Sequence, residues 1–111
     1  MSDLSKQHAS RVTGDTHRLT LSEIKPLLVK VPGWELHKRK GEQILLKEFK
    51  FKDFDAAVAF TNRIAQVAKA EDHHPSILTE WGRVTVMWWT HKIKGLSQND
   101  FVLAAKTDDL V

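Results

Sequence analysis

Apolar residues recur at helical spacing in three segments of the chain, and a helix-capping residue precedes each segment. The strongest pattern covers residues 54–69, where apolar side chains form one stripe over four turns. Asp53 stands directly before this stripe and is a good N-cap. T-x-x-E at residues 20–23 and S-x-x-D at residues 97–100 have the spacing of a capping box. Pro26 opposes the first of these helices, because proline beyond the first turn removes a backbone hydrogen bond.

Four segments alternate between apolar and polar residues and predict strands in two hairpins. The first pair flanks a turn near residues 39–42, and the second pair covers residues 76–81 and 84–91, joined at Gly82. Both faces of the last strand carry bulky residues, so we expect it to be central and covered on its second face, for example by a partner subunit. The element order predicts an α+β fold: a four-stranded antiparallel sheet with three helices packed on one face.

Composition predicts a single soluble domain. The 111 residues include 41% hydrophobic and 28% charged positions and no cysteine, as is typical of a globular protein. Residues 1–16 are polar and without periodicity, which predicts a disordered or loosely attached tail before one domain over residues 17–111. The start of the chain lacks the apolar stretch of a secretory signal, and no apolar stretch is long enough to span a membrane. The lack of cysteine fits the expected cytoplasmic location.

The net charge of +3 is mildly basic, and the basic residues are spread along the chain. We interpret them as a solvated surface, since neither a reading helix nor exposed aromatic residues indicate direct contact with nucleic acid. The sequence therefore gives no reason to expect a nucleic-acid or membrane partner.

Three of the six histidines fall at the two ends of the second predicted hairpin. His73 and His74 precede the third strand, and His91 is predicted to end the fourth. An antiparallel hairpin would bring the three imidazoles to one edge of the sheet. Three interpretations are open at this point: the histidines are structural residues, they form a three-histidine metal site, or they form a metal-free acid–base site. Adjacent residues in an extended segment point apart, which disfavours the metal site.

The motifs around these histidines resemble those of the pterin-4a-carbinolamine dehydratases. The likeness lies in "HHP" at residues 73–75, "TH" at residues 90–91 and "GLSQND" at residues 95–100. It extends from "HRLT", which begins at residue 17, to the last helix. The resemblance implies a four-stranded antiparallel sheet with three helices, assembled as a homodimer or homotetramer.

The resemblance also implies an activity, the dehydration of 4a-hydroxytetrahydropterin to quinonoid dihydropterin in tetrahydrobiopterin recycling. It makes His73, His74 and His91 the catalytic residues, with His73 and His91 as the proton-transfer pair and His74 orienting the pterin. The pterin is the substrate, and no metal or other cofactor is implied. A functional link to an aromatic amino acid hydroxylase is expected.

Further residues are implied to contact the pterin. We expect the segments 73–75 and 90–93 to line the pocket. Asp72 either holds a histidine tautomer or is a solvated residue before the strand, and the two tryptophans either stack on the flat ring or belong to the core. The predicted substrate-binding residues are Asp72, Pro75, Thr90, Lys92, Ile93, Trp34 and Trp89. Some relatives have arginine immediately before the aspartate of the last motif, whereas this chain has Asn99.

A binding module is the alternative function. Members of the same family act as a dimerisation cofactor for a transcription factor, as transcriptional coactivators, or as assembly chaperones. These functions depend on surfaces that the sequence does not identify. Because all three histidines are present, and a scaffold would not require them, the sequence favours the enzyme.

Overall fold

The structure is a computed structural model that describes residues 3–111. It contains an α+β fold with a four-stranded antiparallel sheet and three α-helices, as predicted. The elements in chain order are a 3₁₀ turn (Asp3–Lys6), α1 (Leu21–Val29), β1 (Glu35–Arg39), β2 (Glu42–Lys50), α2 (Phe54–Glu71), β3 (Ser76–Glu80), β4 (Arg83–Trp88), a second 3₁₀ turn (His91–Ile93) and α3 (Gln98–Asp108). No helix in residues 3–111 is both long and apolar enough to cross a membrane.

The sheet has the strand order β1-β2-β4-β3, and all neighbouring strands are antiparallel. β4 is therefore central, as its two bulky faces predicted. Val84, Val86 and Trp88 point toward the helices and are fully buried. The opposite face is only partly covered by the chain itself, and Leu78 on β3 is 53% exposed there.

Local signals place the helix ends where the sequence predicts them. Thr20 and Glu23 form the capping box of α1, which tolerates Pro26 inside the helix. Asp53 caps α2 by accepting a hydrogen bond of 2.8 Å from the Ala56 amide. The C-cap of α2 is Asp72, whose φ of 51° places it in the left-handed region. This residue turns the chain away from the helix axis toward β3.

Helix α3 is the most deeply buried helix, although it has little amphipathic character. Its residues 101–105 are all buried, because the helix packs on β4 and α2 and is also covered by the N-terminal 3₁₀ turn. Leu4 of that turn is only 2% exposed and belongs to the core. A helix that is covered on several sides needs no polar face.

Two expectations from the sequence differ from the structure. Residues 3–10, predicted to be part of a loosely attached tail, contact α2 and α3 through Leu4 and several backbone hydrogen bonds. Their polar composition hides this attachment, because the contacts use backbone groups. Strand β4 was predicted to reach His91 but ends at Trp88. The chain turns there, and Thr90 forms an isolated bridge with Gly95.

Candidate active site

A cleft of about 670 Å³ lies where the start of β3 and the end of β4 meet the N-terminal segment. Its lining includes all three histidines of the predicted catalytic set, and the antiparallel pairing of β3 with β4 explains why they converge. Asp72, Thr90 and Lys92 from the predicted substrate-binding set also line the cleft. The remaining lining residues are His8, Ala9, Ser10, Arg11, Val12, Ala70 and Glu71.

His73 occupies the buried end of this cleft. Just beyond the end of α2, the left-handed turn at Asp72 allows the His73 amide to donate a hydrogen bond of 3.1 Å to the Ala68 carbonyl. The His73 side chain is 6% exposed, and its ring stacks on Trp88 with a centroid distance of 5.9 Å and an interplanar angle of 18°. Backbone and ring contacts together fix the orientation of this imidazole.

A buried carboxylate also holds the His73 ring, through Nε2. Nε2 of His73 lies 2.7 Å from Oδ1 of Asp100, which is completely buried. The second oxygen, Oδ2, accepts hydrogen bonds from the Thr90 hydroxyl at 2.7 Å and the Ser97 amide at 2.9 Å. Asp100 thus joins the cap of α3 to the end of β4 and to the candidate catalytic residue.

This geometry determines the tautomer of His73. An ionised carboxylate only accepts hydrogen bonds, so the proton must lie on Nε2. No buried side-chain nitrogen or oxygen in residues 3–111 lacks a hydrogen-bond partner. Nδ1 of His73 makes no hydrogen bond in these residues, so this atom is not buried, and His73 lines the cleft. His73 therefore offers a lone pair to a bound molecule while Asp100 stabilises any positive charge on the ring.

Asp100 is a residue of the site that the sequence analysis missed. The S-x-x-D spacing identified it correctly as part of a capping box, but that role uses only one of its two oxygens. Asp72 was predicted either to hold a histidine tautomer or to be solvated. Asp72 is exposed and makes no side-chain hydrogen bond within residues 3–111, so the solvated alternative agrees with the structure, and Asp72 also lines the cleft.

His91 lies in the 3₁₀ turn after β4 rather than in the strand. This turn is closed by hydrogen bonds from the Thr90 amide to Gly95 at 2.9 Å and from the Lys94 amide to His91 at 3.2 Å. The His91 ring is exposed and packs against Trp89 with a centroid distance of 4.4 Å. A closed turn holds the residue at the cleft while leaving its ring nitrogens accessible.

The other predicted residues have different surroundings. His74 and Lys92 are exposed residues that line the cleft, whereas Pro75 and Ile93 flank it without lining it. The hydroxyl of Thr90 bonds to Asp100 and lies 2.7 Å from that of Ser97. Thr90 thus serves the buried network more directly than it serves a ligand.

The two tryptophans do not stack across this cleft. Trp34 is 5% exposed in the core, where its indole nitrogen donates to Asp108 at 3.1 Å. Trp89 lines a neighbouring depression, with the Arg39 guanidinium 5.7 Å from its ring centroid. The predicted stacking of Trp34 on a ligand is therefore wrong, and Trp89 reaches the site only through His91. An aromatic residue at strand spacing is more often a core residue, as here.

No three side chains of histidine, cysteine, aspartate or glutamate in residues 3–111 are grouped so as to hold a metal ion. In the described part of the chain, Nε2 of His73 is directed to Asp100 rather than toward the other two imidazoles. The three imidazoles line one open space as separate groups.

Comparison with known proteins places these residues in a family. A family model described as pterin 4 alpha carbinolamine dehydratase matches residues 17–110. Two relatives are provisionally named pterin-4-alpha-carbinolamine dehydratase. The one from Marinobacter nauticus is 50% identical over 99% of both chains, and the one from Saccharophagus degradans is 47% identical over 99% of this chain and 97% of its own.

Solved structures agree with the fold. A transcriptional coactivator/pterin dehydratase from Brucella melitensis superposes with a TM-score of 0.77 at 35% identity, covering 85% of this chain and 98% of its own. A pterin dehydratase-like RuBisCO assembly factor of the alpha-carboxysome has a TM-score of 0.60 at 20% identity, covering 71% and 89%, which shows a shared fold alone. On the family match and these identities, the chain belongs to the pterin 4 alpha carbinolamine dehydratase family.

Proposed function

We propose that this protein dehydrates 4a-hydroxytetrahydropterin to quinonoid dihydropterin in the histidine-lined cleft. The observation that carries the proposal is the convergence of His73, His74 and His91 on one open cleft, with His73 oriented by the buried Asp100. Family membership supports the same reaction.

The reaction requires two proton transfers and no redox change. The bond from C4a to the hydroxyl oxygen breaks, and its electron pair leaves with the oxygen, which takes a proton from an acid and departs as water. The adjacent ring nitrogen forms a double bond to C4a and loses its proton to a base. A positioned acid and a positioned base each contribute about 10²–10⁴-fold.

The residues of the cleft suit this division of work. Nδ1 of His73 is open to the cleft, and the ring is braced by Asp100, so His73 can take up a proton and hold the resulting charge. His91 faces the cleft from the other strand end with an exposed ring, which can give a proton to the leaving oxygen and regain it from solvent. His74, between them in the chain, orients the pterin.

We propose that the reaction uses no metal. Departure of water from a carbinolamine is assisted by the neighbouring nitrogen lone pair, so the step does not need a Lewis acid. In residues 3–111 the histidines and acidic residues are not clustered for ion binding, which supports this proposal. The pterin is then substrate and no resident cofactor takes part.

The experiment is a dehydration assay with purified protein and a synthetic 4a-hydroxytetrahydropterin, followed by the absorbance of the quinonoid product. We expect the protein to accelerate dehydration at neutral pH, and we expect the rate to survive dialysis against a strong chelator. Absence of acceleration would contradict the enzymatic function. Loss of the rate on chelation, with recovery on adding a metal, would contradict the metal-free mechanism alone.

A binding module is the second candidate function. The Brucella melitensis relative is described as a coactivator as well as a dehydratase, and the partly uncovered sheet face with the exposed Leu78 offers a surface for a partner or a second subunit. An inactive protein in the dehydration assay would favour this function. Self-association, a cytoplasmic location and a link to an aromatic amino acid hydroxylase remain predictions from the resemblance.

A further inference from the structure

The N-terminal segment forms one wall of the cleft. Five consecutive residues, 8–12, line the same space as the three histidines. The family match begins only at residue 17, so this wall lies outside the part of the chain that the family model describes. These residues reach the site through the fold, because the histidines of the cleft lie more than 60 positions further along the chain.

Two side chains hold this wall in place. Asn99, which is 4% exposed, accepts a hydrogen bond from the Ser10 amide and donates one to the Ser10 carbonyl, both at 2.8 Å. Glu71 accepts from the Ala9 amide at 2.6 Å and lies 2.9 Å from Nδ1 of His8. The two hydrogen bonds between the Asn99 side chain and the Ser10 backbone resemble a β-bridge. Asn99, at the position that holds arginine in some relatives, therefore attaches the N-terminal segment.

The charge state of Glu71 favours the attachment. Burial raises the pKa of this carboxyl, but hydrogen bonds from His8 and the Ala9 amide and the charge of Lys106 outweigh burial, and the pKa lies below its ordinary value of 4.5. Glu71 is therefore ionised at neutral pH and accepts both hydrogen bonds.

Arg11 follows directly after these attachment points and lines the cleft. Its side chain is exposed and forms no hydrogen bond or ion pair within residues 3–111. Glu71 and Asp72 are the acidic residues that line the cleft, and Glu71 is already engaged. A planar guanidinium with five donors and no acidic partner is suited to bind carbonyl or hydroxyl oxygens of a ligand.

We propose that residues 8–12 form a strap that completes the active site, and that Arg11 donates hydrogen bonds to oxygen acceptors of the bound pterin. The inference rests on the proposed function for the identity of the ligand. Asn99 is then a positioning residue, because it acts through Ser10 on Arg11 and touches no substrate.

The test of Arg11 compares Arg11→Ala with Arg83→Ala. Arg83 is also exposed, but it pairs with Glu80 and Glu48 at the far end of β4. We expect Arg11→Ala to raise KM, and the Kd of a stable dihydropterin analogue, about ten- to a hundredfold while kcat changes less than about threefold. The control should change neither constant. Unchanged KM and Kd in Arg11→Ala would overturn the role of Arg11.

Measuring Kd separates this inference from the proposed reaction. If the wild type binds the analogue but does not dehydrate the carbinolamine, the proposed function fails and Arg11 is still tested. If the wild type does not bind the analogue at all, both fail.

The test of the strap uses Asn99→Ala and amide hydrogen exchange. In Asn99→Ala we expect amide exchange at Ser10 to become at least about tenfold faster, whereas exchange in β2 stays unchanged. We also expect KM to rise by a factor similar to that in Arg11→Ala. In the double variant Arg11→Ala/Asn99→Ala, KM should rise no further than in Arg11→Ala alone, because both changes remove the same contact. Unchanged exchange at Ser10, or fully additive effects on KM, would overturn the strap.

Discussion

Replacing His91 with alanine is expected to lower kcat for carbinolamine dehydration by about 10²–10⁴-fold, the contribution of one positioned acid or base. The free energy of unfolding should fall by less than about 1 kcal/mol, because the ring is exposed and contacts mainly Trp89. The turn that carries His91 is closed by backbone hydrogen bonds that the substitution leaves intact. Steady-state kinetics and urea denaturation measure the two quantities.

Matched controls for this variant are His17→Ala and His37→Ala. Both histidines are exposed and pair with a nearby glutamate away from the cleft, so both variants should keep kcat within about twofold of the wild type, since surface changes away from a site have small effects. Full activity in His91→Ala would show that His91 does not transfer a proton in the reaction. An equal loss in the controls would point to a general effect of removing histidine.

Two substitutions of Asp100 should separate its structural role from its effect on His73. Alanine leaves the Ser97 amide and Nε2 of His73 buried without an acceptor, and the Thr90 hydroxyl keeps only the Ser97 hydroxyl, 2.7 Å away, as a partner. We therefore expect Asp100→Ala to lower the free energy of unfolding by about 3 kcal/mol or more. Chemical denaturation measures this loss.

Asp100→Asn should instead fold and lose activity. Its one carbonyl oxygen can still accept from Thr90 and Ser97, which turns the amide group toward Nε2 of His73. The histidine must then accept at Nε2 and carry its proton on Nδ1, the nitrogen that is open to the cleft. We expect kcat to fall by about 10–100-fold, and ¹⁵N NMR of the imidazole should report the exchanged tautomer.

Asp108→Asn is the matched control for Asp100→Asn. Asp108 is a partly buried carboxylate that binds Trp34 and Lys47 away from the cleft. Its replacement should lower stability by about 1–2 kcal/mol and leave kcat unchanged. If Asp100→Asn keeps the wild-type rate and tautomer, Asp100 supports the fold only.

The parts of the fold that follow from local physics were predictable from the sequence. The stripe of α2, its Asp53 cap and the capping boxes before α1 and α3 each depend on residues within one or two turns of each other. The convergence of His73 and His91 was predictable too, because it requires only that the segments around them form an antiparallel hairpin. The sequence did not show that the strand ends before His91.

The parts that depend on distant residues were not predictable in this way. The contact between His73 and Asp100 joins residues 27 positions apart, and that between Ser10 and Asn99 joins residues 89 positions apart. Asp100 and Asn99 are helix-cap residues by their sequence, and nothing local shows that each has a second set of partners. Trp34 was misassigned for the same reason, since its partner Asp108 lies in the last helix.

The most direct test of the central claim is an imidazole NMR titration of the wild-type protein with a stable dihydropterin analogue. If the pterin binds among the three histidines, the ring signals of His73, His74 and His91 should shift in saturable fashion with one common Kd. The signals of His17 and His37, which do not line the cleft, should stay in place. Saturable binding that leaves the signals of His73, His74 and His91 unmoved would contradict the account.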